Sequence, residues 1–445
     1  MVDWLIEHRR SNLWASMGIG KSSATLMALD VLTLMGEIDS SEPTLVIGPK
    51  RVARDVWPEE VCKWENFRGI QVVPIMGSPR QRQDALKRRA EIYTTNYEQL
   101  PWLVEQYLER WPFRQVVADE SDRLKGFRTK QGGERARAIG RVAHYLTRRW
   151  INLTGTPASN GLKDLWGQNW YVDRGVRLGA TYEDFKKRWF HRAWSGFGIE
   201  PMPFAEDQIK SRLKDVTLTV DAKDYFDLKE PIVEVIKVRL PPKARRIYRD
   251  LEDELYAELG DGATVEVFNA AALTSKCLQL ANGAIYTERP KWEAIHDEKL
   301  EALESVVAES GGAPVLVAYQ FKSDLARLKA AFPRAVELST REGMKAFREG
   351  HAEIGLAHPK SMGHGIDGLQ YVCNILVRFG HDWNLGERLQ MLERIGPMRQ
   401  LQAGLDRPVF VYDLIAEKTV DEQVLEVHRT KRRVLDVLLE AMKQR

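Results

Sequence analysis

Short apolar, β-branched runs alternate with stretches of helical periodicity through the first half of the chain, a pattern that predicts a parallel sheet flanked by helices. The strands so predicted are residues 12–15, 44–47, 91–95, 115–118 and 151–154. Between the first two, Ala24, Met27, Ala28, Val31 and Met35 recur at helical spacing and stop at Gly36, as a crossover helix does. From 171 to 242 the pattern turns aromatic and charged, which predicts helical protrusions and a crossover. Dense charge at helical spacing follows over 243–259. A second alternation then starts near Lys299, with predicted strands at 315–319, 335–338, 353–357, 374–377 and 409–414. Leu325, Leu328 and Phe332 mark a helix within it, and a long amphipathic helix runs from Val420. The expected organisation is an α/β lobe over 1–172, helical protrusions over 173–298 and a second α/β lobe over 299–445.

The length of 445 residues suits this reading, because one hydrophobic core rarely grows that large. With 44% hydrophobic and 29% charged residues, the composition is that of a globular protein, and no apolar run of about 18 residues could cross a bilayer. The opening MVDWLIEHRR has no apolar signal core, so a cytoplasmic location is expected. Three cysteines, Cys62, Cys277 and Cys373, form no CxxC pair, which argues against a disulfide framework or a zinc site. The net charge of +3 is small, but the cations are clustered. One cluster is Arg80, Arg82, Lys87, Arg88 and Arg89. Another is Arg123, Lys125, Arg128, Lys130, Arg135, Arg137, Arg141, Arg148 and Arg149. A third, on the last helix, is Arg429, Lys431, Arg432 and Arg433. A nucleic-acid partner would account for such clusters, and so would solvated helix faces.

Two segments carry recognisable chemistry. ASMGIGKS at 15–22 lies between a predicted strand and a predicted helix, the context of a phosphate-binding loop. Gly18 and Gly20 have no side chains to block inward-turned N–H groups, and the helix start adds its positive dipole end. Gly18, Ile19, Gly20, Lys21, Ser22 and Ser23 would cradle the phosphates of ATP. Lys21 would reach the β- and γ-phosphates and Ser22 would ligate Mg²⁺. RQVVADESD at 114–122 is an apolar strand ending in two carboxylates. Asp119 would hold Mg²⁺, and Glu120 would orient and deprotonate the attacking water. In INLTGTPASNG at 151–161, the hydroxyls of Thr154 and Thr156 are placed to bond that acidic pair.

The ordered set ASMGIGKS, VIGPKRVARDVWPEEVCKW, IYTTNYEQL, VADESD, LTGTPASN, VLVAYQFKSDL, HPKSMGHGIDGLQ and QMLERIGPMRQ resembles the superfamily-two helicases and translocases of the Swi/Snf-like branch, over nearly the whole chain. DYFDLKEP, ANGAIY and DRPVFVYDLIAEKTVDEQV are similar to phage-encoded members. The resemblance implies two RecA-like lobes, with ATP and Mg²⁺ held between them. It also implies a sequence-independent DNA partner, probed through Lys50, Arg51, Thr95 and Asn96, with Thr154 grouped beside them. In the second lobe it assigns Gly363, His364, Gly365 and Gln370 to a segment that senses DNA and ATP. Gln390, Arg394 and Arg399 are expected to complete the catalytic set, the arginines as fingers to the γ-phosphate. No glutamine occurs before Ala15, where such proteins read adenine, and Pro397 stands where a second finger is normally found. The function expected is an ATP-dependent motor on duplex DNA. A strand-unwinding helicase on DNA or RNA, and a nucleotide-gated binding module without turnover, are the alternatives. A nuclease or replication factor is an expected protein partner.

Overall fold

The computed structural model describes the chain apart from residues 40, 130–131, 193–198, 261–266, 288–290, 363–365 and 443–445. Lys130, Gly363, His364 and Gly365 therefore lie outside the described residues. Two compact units are present, the first formed by 1–227 with 431–445 and the second by 228–430.

The first unit opens with the strands β1 (Arg10–Ala15), β2 (Thr44–Gly48), β3 (Val72–Pro74), β4 (Ile92–Asn96), β5 (Gln115–Asp119) and β6 (Arg149–Thr154). After a short antiparallel pair, β7 (Phe190–Arg192) and β8 (Ile199–Pro201), the chain returns as β9 (Thr217–Val220). The main sheet has seven strands in the order β3-β4-β2-β5-β6-β1-β9, all parallel. Strands β2, β4, β5 and β6 are buried along their whole length, as expected when helices cover both faces. Leu13, Leu26, Ala28, Val46, Trp57, Val117, Ile151 and Leu153 form the core on one face.

The second unit starts with β10 (Ile232–Val238). A helix at Pro242–Gly260, another at Val267–Ala281 and a small antiparallel pair, β11 (Ala284–Tyr286) with β12 (Trp292–Ala294), precede the rest of its sheet. That sheet is completed by β13 (Val315–Ala318), β14 (Val336–Glu337), β15 (Ile354–Ala357), β16 (Ile375–Arg378) and β17 (Phe410–Ala416). The strand order is β10-β17-β16-β13-β15-β14, again all parallel. Two α/β units with parallel sheets flanked by helices are thus the architecture expected from the sequence.

Buried charge holds parts of the second unit. Lys299 and Asp421 are both fully buried and 2.7 Å apart, and Lys299 also donates to Asn282 Oδ1 and to the Phe379 carbonyl. Asp413 lies between Arg378 and Arg388. Burial alone would raise its pKa, but the two guanidinium groups hold it well below the ordinary carboxylate range. Removing one partner of such a pair leaves an uncompensated buried charge, which typically costs about 3–5 kcal/mol.

Several cations of the clusters serve the fold. Arg149 is 5% exposed and donates to the Leu5 carbonyl, fixing the first helix turn to β6. Arg82 is 8% exposed, with its guanidinium 4.1 Å from the centre of the Trp102 ring. Clustering in sequence does not distinguish these from Arg80, Lys87, Arg88, Arg137 and Arg141, which are exposed.

Candidate active site

The segment between β1 and the helix Lys21–Leu34 is a tight loop closed by two glycines in the left-handed region, Gly18 at φ 79° and Gly20 at φ 86°. Gly20 is the helix N-cap, and a Cβ there would sit 3.1 Å from Ser23 Oγ in a backbone conformation that side chains rarely adopt. Ser23 itself donates to the Gly20 carbonyl at 3.0 Å. Lys21 Nζ donates to the carbonyls of Ala15 and Ser16, at 2.7 and 3.1 Å, which holds its ammonium at the start of the loop. Ile19 packs against the core, and Ser22 is half-buried on the first helical turn.

Asp119 ends β5, two strands from β1, and is 7% exposed. Its Oδ2 accepts the Trp57 indole N–H at 3.0 Å. Burial, then the neighbouring Glu120, raise its pKa to about 6, while the Trp57 bond and the Lys21 charge pull it back. A divalent cation at this carboxylate would reverse the burial effect by favouring the charged form. Glu120 adopts φ 57°, ψ 55°, a left-handed conformation that costs a non-glycine residue about 1–2 kcal/mol. The Tyr97 hydroxyl holds this turn by donating to the carbonyls of Asp119 and Glu120 at 2.8 and 3.2 Å. Asp122 is raised to about 7, first by burial and then by Glu120, against the opposing charges of Lys125 and Arg123. A glycine-capped loop, an ammonium, a first-turn hydroxyl and a carboxylate pair, Asp119 buried and Glu120 half-buried, are a donor set suited to Mg²⁺ and a nucleoside triphosphate.

The Thr154–Pro157 segment closes on this loop: a Cβ on Gly155 would lie 3.2 Å from the Ala15 carbonyl. Thr154 Oγ1 accepts the Thr156 N–H at 3.0 Å, and Thr156 Oγ1 is buried without a hydrogen-bond partner among the described residues. Neither hydroxyl bonds the acidic pair, contrary to the sequence-based expectation. The connection runs instead through Gln168, which accepts from Ser121 and donates to the Pro157 carbonyl.

The first unit also contains a contact that sequence reading missed. Ser16 Oγ donates to Asp221 Oδ1 at 3.2 Å and accepts the Ala222 N–H at 3.1 Å, while the Ser16 N–H reaches the Val220 carbonyl at 3.0 Å. The end of β9 is thereby fastened to the start of the loop. An Asp directly after a Thr-rich strand was the available signal, but the strand itself was not recognised.

Among the residues expected to touch DNA, Lys50 is exposed and Arg51 half-buried, directly after β2. Thr95 is fully buried, with its hydroxyl 3.3 Å from the Ile75 carbonyl, and Asn96 is 5% exposed and donates to Glu98 at 2.6 Å. Thr154 is fully buried. In the second unit Gln370 is 3% exposed: it donates to Asp367 and accepts the Gly368 N–H, both at 2.9 Å. The described geometry therefore leaves Lys50 and Arg51 as the accessible side chains of this group.

The helix Leu385–Glu393 carries Gln390, 7% exposed, and ends just before Arg394. A new helix, Pro397–Gln402, begins at the proline after an extended Gly396. Arg394 donates to the Ile366 carbonyl at 3.0 Å, and Arg399 pairs with Asp367 at 3.4 Å. The two arginines, though separated by the helix break, converge on residues 366–367.

A phosphate loop and an acidic strand end on one parallel sheet define the class as P-loop nucleotide-binding proteins. A family model, the SNF2-related domain, matches residues 1–279, and the chain belongs to this family of ATPases. It is 50% identical over 454 residues to the p41 protein of Acyrthosiphon pisum secondary endosymbiont phage 1, covering 100% of this chain and 97% of that one. It is 23% identical over 479 residues to the nuclear protein STH1/NPS1 of Saccharomyces cerevisiae, covering 96% of this chain but 33% of the yeast protein. A solved structure of the Sulfolobus solfataricus SWI2/SNF2 ATPase core in complex with dsDNA aligns with 99% of this chain and 91% of that one, at 18% identity and a TM-score of 0.43.

Proposed function

We propose that the chain is an ATP-driven motor on duplex DNA, in which ATP is hydrolysed between two RecA-like lobes and lobe movement is converted into translocation. The observation that carries this reading is the pairing of the glycine-capped loop bearing Lys21 with the buried Asp119 and the strained Glu120. Gly18, Ile19, Gly20 and Ser23 shape the cradle. Lys21 offsets phosphate charge, and Ser22 with Asp119 would hold Mg²⁺, which supplies charge neutralisation on the transferring phosphoryl group. Glu120 orients the attacking water and takes its proton. Gln390, Arg394 and Arg399 act from the second lobe. Residues 1–172 and 299–445 are assigned to the bodies of the two lobes, with 173–298 as protrusions and crossover that also lend β9 to the first sheet and β10 to the second, and the protein is assigned to the host cytoplasm. Among the described residues, no helix is long and apolar enough to cross a membrane.

DNA is engaged through its phosphates by Lys50, Arg51 and exposed cations such as Arg80, Arg88, Arg137 and Arg141. Affinity for duplex DNA is therefore expected to be independent of base sequence and to fall by orders of magnitude between ~50 and ~200 mM salt, through counterion release. Fluorescence anisotropy with two unrelated duplexes over that salt range checks this. Binding that ignores salt, or that demands one sequence, contradicts the DNA reading. Comparing ATPase stimulation by duplex, forked, single-stranded and RNA ligands separates a duplex tracker from a strand-unwinding helicase. A nuclease or replication factor that directs the motor to its DNA is a further part of the proposal.

A further inference from the structure

The first unit contains a buried amide network between β1, β6, β9 and the helix Leu165–Asp173. Asn12 on β1 donates to Asn169 Oδ1 at 2.7 Å and to Thr217 Oγ1 at 3.0 Å, joining β1 to β9 and to the helix Leu165–Asp173. Asn152 on β6 donates to Asn12 Oδ1 and to the Gln168 carbonyl, both at 2.9 Å. Asn169 Nδ2 donates to the Leu165 carbonyl at 2.8 Å, and Trp150 donates to Asn152 Oδ1 at 2.8 Å. Asn12, Asn152, Gln168 and Thr217 are fully buried, and Asn169 is 1% exposed. Sidechain amides cost free energy to bury unless every donor is paired, so a satisfied network of this kind fixes its members in one arrangement. Here it fixes the backbone of Gln168.

From that backbone the Gln168 side chain reaches two segments of the candidate site. Its Oε1 accepts the Ser121 hydroxyl at 3.2 Å, and its Nε2 donates to the Pro157 carbonyl at 2.5 Å and to the Asp164 carbonyl at 3.2 Å. Ser121 directly follows the left-handed Glu120, and Pro157 ends the segment that closes on the phosphate loop. A methionine or leucine would fill the same volume without burying an amide, so packing alone does not call for glutamine here.

We infer that Gln168 is a positioning residue of the hydrolysis site, which holds the turn carrying Glu120 in register with the Thr154–Pro157 segment through the Ser121–Gln168–Pro157 relay. The inference rests on the reading of Glu120 as the residue that activates water. Gln168 touches neither nucleotide nor metal in this account. It acts by keeping the Glu120 carboxylate where the attacking water must be. A second brace shares only the Asp164 backbone with it: Lys125 Nζ lies 3.0 Å from Ser159 Oγ and 3.6 Å from the Asp164 carboxylate, which accepts the Asn160 N–H at 2.8 Å. That brace keeps the loop folded when the relay is cut.

The test uses the full chain, with kcat and KM for ATP measured at saturating duplex DNA alongside thermal stability. Gln168→Met keeps the volume and removes the relay. It is expected to lower kcat by about 10- to 100-fold, the scale of a small misplacement of a reacting group, with KM changed less than about threefold. Ser121→Ala removes one end and is expected to lower kcat by less. The double variant should be no slower than Gln168→Met alone, because both changes break one connection. Wild-type kcat in either single variant, or losses that multiply in the double variant, overturn the inference. Should Gln168→Met not fold, Ser121→Ala still decides. Glu120→Gln in the same assay separates the two levels: if it is slow while the relay variants are normal, only the positioning role fails. If Glu120→Gln is itself normal, the assignment of the base fails, and this inference with it.

Discussion

Arg394→Ala is expected to lower DNA-stimulated kcat by ~10³-fold, the low end for an arginine finger, while changing ATP affinity only a few-fold. Arg394 belongs to the second unit, whereas Lys21, Asp119 and Glu120 belong to the first. A cation that meets the γ-phosphate only as the lobes close stabilises transition-state charge and adds little to ground-state binding. The rate should therefore change far more than the affinity. Arg399→Ala should follow the same pattern, since the helix restarted at Pro397 carries Arg399 back to Asp367, beside the Ile366 carbonyl that Arg394 bonds. Single-turnover hydrolysis, with nucleotide affinity measured separately, checks both. Full DNA-stimulated turnover in both variants would mean that the site is not completed from this segment.

Glu120→Gln should leave ATP and Mg²⁺ binding nearly intact and reduce hydrolysis by ~10²-fold or more. The amide keeps the shape of the side chain and can still orient a water, but it cannot accept the proton. The left-handed turn that presents residue 120 is held by Tyr97 through backbone carbonyls, so the exchange does not disturb what fixes its position. The variant is expected to trap a nucleotide-bound state. Near wild-type turnover would show that another group activates the water.

The strands at the centres of both sheets were legible because burial on both faces leaves continuous apolar runs, and each of the ten expected from the sequence overlaps an observed strand. The crossover helix ended where Gly36, at φ 75°, allowed it to end. What escaped was set by long-range pairing. β9, with the sequence TLTV, lies in a charged, aromatic stretch that reads as helical, and only its parallel register with β1, Asn12 opposite Thr217, makes it a strand. β10 pairs with β17 in the same way and exposes Ile232 and Val233. Asp221, fastened to Ser16, was hidden with β9. Gln168 looked like one polar residue in an aromatic helix, and nothing local indicates that its side chain bridges Ser121 and Pro157. Motif order points to Lys21, Asp119 and Glu120, and the strand ends that carry them are legible because they depend on local backbone. It could not foresee that Thr95, Thr154 and Gln370 are buried, since a hydroxyl or an amide reads alike whether it faces solvent or a carbonyl.

The central claim is that this chain hydrolyses ATP in response to duplex DNA. Steady-state phosphate release by the full chain with Mg²⁺, measured with and without a duplex of arbitrary sequence at low salt, tests it most directly. Slow turnover without DNA and strong stimulation with it are expected. Turnover that duplex DNA does not change, or none under either condition, would contradict it.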